Sequence, residues 1–317
     1  MSRPQNAKEF REELAKNFSH ILEEKGLSWK KEWHCGGNSA PYNAITKTPY
    51  HGCNSFALSM VAFTRGYNDP RWMTMTQIMD KEHKYHSKEH WHLKKGSTAT
   101  YVEYWYPFDL KAKKALTWDE YTNEINSGRE TTEFLMKTRY TAVFNACDVE
   151  GISPLQEYVN EDVDIDVLVS TLSKVMGVEI KNDGKDRAFY QPKSDMIHLP
   201  KPTAFESTYA YNSTALHELA HSTAHPSRLN RPIGGKFGSE EYAFEELIAE
   251  MSSCFMSVHL NAEISDFHLA NHKAYVQSWI SAIKEKPEAL AKAISEAQKV
   301  AEYIDLKAGY LVQQKAS

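Results

Sequence analysis

The chain has 317 residues, more than one compact core usually organises, so two domains are expected. Its 41% hydrophobic and 12% aromatic content exclude a disordered protein, and the lack of any run of 18 apolar residues excludes a membrane-spanning helix. The net charge of −5 is unevenly spread: residues 1–150 carry 21 Lys+Arg against 19 Asp+Glu, the remainder 16 against 23. Six of the seven tryptophans (Trp29, Trp33, Trp72, Trp91, Trp105, Trp118) fall in the first part. Cys35, Cys53, Cys147 and Cys254 are scattered without a Cys-x-x-Cys pair, which reads as reduced thiols. The first residues, Met1 to Asn6, contain no apolar signal core, so a cytoplasmic location and no membrane partner are expected.

In chain order, Ala7 to Lys25 reads as a helix with Phe10, Leu14, Phe18, Ile21 and Leu22 as its apolar stripe. A turn-rich segment follows from Cys35 to Asn43, and Tyr50 to Asn54 leads into a second helix. A short helix is expected around Thr76 to Lys81, and strands over Thr98 to Tyr106 and Tyr140 to Phe144. Helices with a small sheet make an α+β module. Its end is placed near Gly151 to Pro154, giving domains at 1–152 and 153–317. No Gly-rich phosphate loop or internal repeat is present.

Trp33, Tyr42, Tyr50, Tyr67, Trp72 and Tyr85 are interleaved with Lys30, Lys31, Lys47, Arg65, Arg71, Lys81 and Lys84. Aromatic faces with cations between them suit single-stranded nucleic acid, bases on rings and phosphates on charges. Asn43, Asn54 and Gln77 can add hydrogen bonds. The competing expectation is that most of these rings are core, as in other small Trp-rich domains. His83, His86, His90 and His92 form a histidine-rich stretch that reads as a second metal site, a solvated loop, or a DNA-contacting loop that gains charge below neutral pH.

In the second domain, Tyr190 to Pro200 reads as a strand whose edge can pair with a peptide. A helix follows, with Ser207 as N-cap and Pro226 beyond its end, and it carries His217-Glu218-Leu219-Ala220-His221. Histidines four apart lie one above the other on a helix face and can share an ion. Glu218, beside the first, is placed to act as general base in a zinc-dependent hydrolase. An ordinary buried amphipathic helix is the alternative, but a carboxylate beside paired histidines is expensive to bury without a metal. Catalytic zinc takes three protein ligands. His225 lies about 12 Å along the axis from His217 and cannot join both others. Downstream, Tyr242 to Met251 reads as a helix bearing Glu245, Glu246 and Glu250. The arrangement of Glu246, Ala249 and Glu250 resembles the third-ligand helix of gluzincin metallopeptidases. That resemblance implies Glu246 as ligand and Glu250 as the acid that orients His217 or His221. Glu245 stays open as the alternative ligand, with Tyr242 and His225 as candidate oxyanion partners.

The ordered set Trp33, Pro41-Tyr42-Asn43, Tyr50, Gly52, Asn54, Gly66-Tyr67, Asp69-Pro70-Arg71-Trp72, Lys95-Gly96 and Val143-Phe144-Asn145 resembles the N-terminal domain of the ArdC antirestriction proteins. Asp195 to Pro200, His217 to His221, Arg228-Leu229-Asn230-Arg231 and Tyr242 to Glu250 are similar to the zincin-like domain joined to it in that family. The resemblance implies a protein of mobile genetic elements that binds single-stranded DNA and carries a mainly helical metallopeptidase domain with a small sheet. It implies Zn²⁺ on His217, His221 and Glu246, and DNA contacts at Trp33, Tyr42, Asn43, Tyr50, Asn54, Arg71, Trp72 and Lys95. Two readings compete with a working peptidase acting on a protein or peptide: a purely structural or regulatory zinc, and a toxin- or phage-type peptidase whose first domain binds protein.

Overall fold

In the computed structural model, residues 3–26, 40–80, 90–155, 165–183, 186–234, 239–260 and 273–309 are described. Helix α1 (Ala7–Lys25) begins where the Asn6 side chain accepts a hydrogen bond from the Glu9 amide, and it buries the expected stripe from Phe10 to Leu22. Strand β1 (Tyr42–Asn43) and helix α2 (Gly52–Arg65) follow. Next come β2 (Arg71–Thr74) and the short α3 (Met75–Met79), which is capped reciprocally by Thr74 and Gln77. Then come β3 (His92–Leu93), β4 (Thr100–Asp109), β5 (Lys114–Ala115), α4 (Trp118–Asn126), β6 (Phe134–Asn145) and β7 (Val149–Glu150).

The main sheet has the order β1-β2-β6-β4-β5. Its backbone is the antiparallel β4–β6 ribbon, paired from Thr100 opposite Val143 to Asp109 opposite Phe134. Both strands run further than expected. The extension was hidden because Leu135, Lys137 and Arg139 mix apolar and charged side chains on one face, which masks a period of two. Just after β7, Gly151 (φ 80) needs to be glycine: a Cβ there would meet the His90 carbonyl oxygen at 2.1 Å.

The second domain runs α5 (Ile165–Met176), β8 (Glu179–Lys181), β9 (Phe189–Gln191), β10 (Met196–His198), α6 (Thr208–Ser222), α7 (Glu240–Leu260), α8 (Lys273–Glu285) and α9 (Pro287–Ala308). The segment expected as one strand, Tyr190 to Pro200, is a hairpin. Pro192 cannot donate to a ladder, and Asp195 turns the chain at φ 51. Strand β10 is paired on both sides, parallel to β8 and antiparallel to β9, so the sheet's edges belong to β8 and β9.

The architecture is α+β in two domains, joined by apolar contact. Phe10, Leu14, Phe18, Phe56 and Met60 of the first domain belong to one buried cluster with Leu247, Trp279, Ile294 and Val300 of the second. Helix α1 lies on α8 and α9, so it completes the core of a domain that begins more than a hundred residues later. The sheet keeps smaller clusters of its own, one around Met73, Ile78 and Phe144, another around Leu58, Trp72 and Val102. Cys53 and Cys147 are free thiols, and burial pushes the Cys53 thiol up to about 11. Among the described residues no helix is long and apolar enough to cross a membrane.

Candidate metal centre

Helix α6 starts as its sequence indicates: the Ser207 hydroxyl accepts from the Ala210 amide. Ala215, Leu216, Leu219 and Ala220 are buried, which presses the opposite face, with His217 and His221, against α7. Ala249 of α7, 1% exposed, leaves no bulk where the two helices approach. The imidazoles of His217 and His221 turn their Nε2 atoms to within 3.1 Å of each other. Glu246 meets them from α7, its Oε2 3.6 Å from His217 Nε2 and its Oε1 3.6 Å from His221 Nε2. Among the described residues, this trio is the set whose ligand atoms gather closely enough to hold one ion, all within 4.8 Å of one another.

The outer nitrogens are held as well. Glu250, 1% exposed, places a carboxylate oxygen 4.0 Å from His217 Nδ1. Glu245 sits 3.2 Å from His221 Nδ1, on the side away from the convergence point. Arg231 grips Glu245 with both terminal nitrogens at 2.6 and 3.0 Å, and donates also to Thr223 Oγ1 at 3.2 Å. Each histidine therefore points Nε2 inward and Nδ1 at a carboxylate, the pattern that sets tautomer and ring orientation at metal sites. Glu245 is the residue that reading the sequence left as an alternative ligand; the structure turns it outward. The signal for its placement was Arg231, a cation otherwise unexplained in a buried stretch.

Charge at the site follows from this geometry. Burial lifts the Glu218 carboxyl to about 7, the Glu246 charge adds to the rise, and His221 with the Tyr190 backbone amide oppose it. Burial alone would lower His221, but Glu246, Glu245 and Glu218 outweigh it and raise the ring to about 9. Burial works likewise against ionised Glu246, yet His221, His217 and a hydrogen bond with Tyr242 hold its carboxyl well below the usual range. The carboxylates thus make His221 hold positive charge where a divalent ion would replace the proton. Two imidazole nitrogens, one carboxylate and an adjacent unligating carboxyl fit a three-ligand catalytic metal.

His225 lies beyond the end of α6, its Nδ1 2.7 Å from Ser227 Oγ and 3.7 Å from Asp195, away from the trio. Asp195 is held by Arg228 and by the Tyr190 hydroxyl at 2.8 Å. The Arg228–Arg231 pair therefore ties the hairpin and α7 to the end of the histidine helix.

The first domain distributes its expected DNA contacts differently. Trp72 is 1% exposed and belongs to the core, so its ring offers no face to a base. Asn54 caps the β4 edge, accepting from the Glu103 amide at 2.7 Å and donating to the Glu103 carbonyl at 2.8 Å. The Asn43 side chain accepts from the Ile45 and Thr46 amides, both at 3.0 Å, and Tyr50 packs against the Trp72 cluster. Arg71 is clamped on Asp69 and donates to the Ser153 carbonyl at 3.0 Å. Lys95 is exposed, and Tyr42 is half-buried with Lys47 over its ring. Trp33, His83 and His86 lie outside the described residues; His90 and His92 are exposed.

Residues 168–296 match the zincin-like metallopeptidase family, and residues 8–144 match the N-terminal domain of anti-restriction factor ArdC. The chain belongs to the ArdC-like proteins. It is similar over 96% of its length to the metal-free crystal structure of antirestriction ArdC from the R388 plasmid, with 99% of that chain covered, TM-score 0.70 and 25% identity. The Mn(II)-bound structure of the same protein matches with TM-score 0.71 and 27% identity, over 95% of this chain and 99% of that one. A DNA primase TraC of Escherichia coli is 32% identical over 306 residues, 94% of this chain and 27% of the primase. The chain thus spans about a quarter of the length of the curated primases it matches. Protein y4eC of Sinorhizobium fredii is 27% identical over 303 residues, which are 95% of this chain and 93% of y4eC. The donor set, the zincin-like match and the Mn(II)-bound relative together point to a divalent metal in this ArdC-like chain.

Proposed function

We propose that the chain is a cytoplasmic antirestriction protein of a mobile genetic element, with a single-stranded-DNA-binding domain over 1–152 and a zinc-dependent peptidase domain over 153–317. The observation that carries the second half is the convergence of His217, His221 and Glu246, with Glu218 buried beside them. These three residues would hold Zn²⁺, which would supply Lewis acidity toward a peptide carbonyl and toward water. Glu218 is the base: with its carboxyl near 7 it takes a proton close to neutral pH and returns it to the leaving amine. The Tyr190 amide steadies that carboxylate from β9, which as the edge strand beside Glu218 offers an extended peptide a line along which to pair. Glu245 and Glu250 orient the two histidines, and Tyr242 steadies Glu246. DNA binding is supported by the relatives, an antirestriction ArdC of a plasmid and primases named TraC.

Glu218→Gln tests the peptidase: the variant should keep its metal and lose cleavage, and cleavage at the parent rate removes Glu218 as the base. One observation favours a second reading. His217, Glu218, His221 and Glu246 are only 4–7% exposed, as befits a metal that fastens α6 to α7. In that reading Glu218→Gln protects DNA from restriction as well as the parent does.

A further inference from the structure

Strand β4 presents Tyr104, Tyr106 and Phe108 at every second position, on one face of the sheet. Antiparallel register sets Arg139, Lys137 and Leu135 of β6 directly opposite them. The Arg139 guanidinium lies 4.4 Å from the centroid of the Tyr104 ring, and Lys137 Nζ lies 3.4 Å from that of Phe108. This face is open: Tyr104 is 40% exposed and Leu135 49%. The other face of the same ribbon end is covered around Phe134 and Asp109, although Trp105 and Met136 on it stay exposed. There Tyr121 of α4 meets Phe134 edge-on at 5.0 Å, and Arg129 binds Asp109 at 2.6 Å.

We propose that this face of the β4–β6 ribbon is where a single-stranded nucleic acid lies, its bases on Tyr104, Tyr106 and Phe108 and its phosphates on Lys137 and Arg139. The proposal rests on the DNA-binding reading above and places it on residues that the tryptophan-rich segments did not suggest. Rings two residues apart on a strand are spaced about 7 Å, a step that an extended strand with separated bases can follow. Both charges in the set of six are positive, matching a phosphate backbone. The acids nearest in sequence are engaged elsewhere: Asp109 and Glu133 on Arg129, and Glu103 on Arg11, Trp105 and Tyr140. Guanidinium and ammonium over ring faces also keep the rings upright, so little ordering is left for binding to supply.

The test is fluorescence anisotropy of a labelled oligothymidylate titrated with the full chain at several salt concentrations. Tyr104→Ala and Phe108→Ala should each weaken binding about fivefold or more, whereas Tyr104→Phe keeps a ring and should bind as the parent does. Arg139→Gln should flatten the log–log salt slope by about 0.7, one phosphate contact on a single strand. These side chains are on the surface, so unchanged melting temperatures will confirm that the variants are folded. If the parent binds and all four variants bind equally well with the parent's salt slope, the face is refuted while the DNA-binding reading stands. If the parent does not bind, that reading fails and the proposal with it. If the alanine variants instead lose self-association in sedimentation with DNA affinity unchanged, the face joins two copies of the chain, and the proposal is overturned.

Discussion

The two domains bury polar groups for opposite purposes. Around α6 and α7, His217, His221, Glu245, Glu246 and Glu250 are sealed in with side chains aimed at one another, and the geometry leaves a point for an ion. In the sheet domain, the buried and half-buried polar groups aim at the backbone or at nearby hydrogen-bond donors of their own. Asn54 grips the edge of β4, and Glu103 is enclosed by Arg11, Trp105 and Tyr140. The first arrangement gathers charge around one point; the second disperses it among separate contacts. A buried polar cluster indicates chemistry where its members converge with a position to spare, and architecture where each finds its own partner.

The sharpest way to break this contrast is to neutralise the centre. Glu218→Gln should lower peptide cleavage on the order of 10²- to 10⁴-fold with metal content unchanged, measured as turnover beside metal analysis. Almost as large, and purely structural, Trp72→Ala should cost about 3–5 kcal/mol in denaturant unfolding, whereas Tyr104→Ala, on the exposed face, should cost less than about 0.5 kcal/mol. Equal losses would erase the distinction between the two kinds of aromatic residue. Next, Arg231→Gln should lower metal affinity about 10- to 100-fold by freeing Glu245 from its place behind His221, read by competition with a chelating dye.

The smallest effect is the pH dependence of the metal-stripped protein. His221, raised to about 9 from 6.5, gives stability that is full below pH 6.5 and lost as pH rises through 9. Glu218, raised to about 7 from 4.5, binds its proton more tightly when folded, so stability also falls between pH 4.5 and 7. Melting temperature without metal should therefore decline from mildly acidic to alkaline pH, while metal affinity rises as the protons leave. A metal-free melting temperature that rises over this range contradicts the charge arrangement.

The same contrast explains what could be read from the chain alone. The metal centre was legible because its spacing is local: His217 and His221 share one turn of helix, and Glu246 with Glu250 repeats the trick on the next. What separates Glu246 from Glu245 is where each carboxylate points, Glu246 at both Nε2 atoms and Glu245 at Arg231, and that depends on contacts in three dimensions. In the sheet domain the decisive pairs are far apart in sequence, Asn54 with Glu103 and Tyr67 with Asp148. Composition alone could not tell that Trp72 is core while Tyr104 is surface. The α1 helix was placed correctly from its stripe, but its partners, α8 and α9, lie at the far end of the chain. The segment from Tyr190 to Pro200 folds as a hairpin and not as one strand, because the largely polar stretch Pro192 to Asp195 turns the chain between two three-residue strands.

The most direct test is a crystal structure of the zinc-loaded chain with anomalous scattering collected at the zinc edge. One ion should lie about 2.0–2.2 Å from His217 Nε2, His221 Nε2 and a Glu246 oxygen, with Glu245 still on Arg231 and His221 Nδ1. An ion ligated by Glu245, or one bound away from the two histidines, would contradict the site.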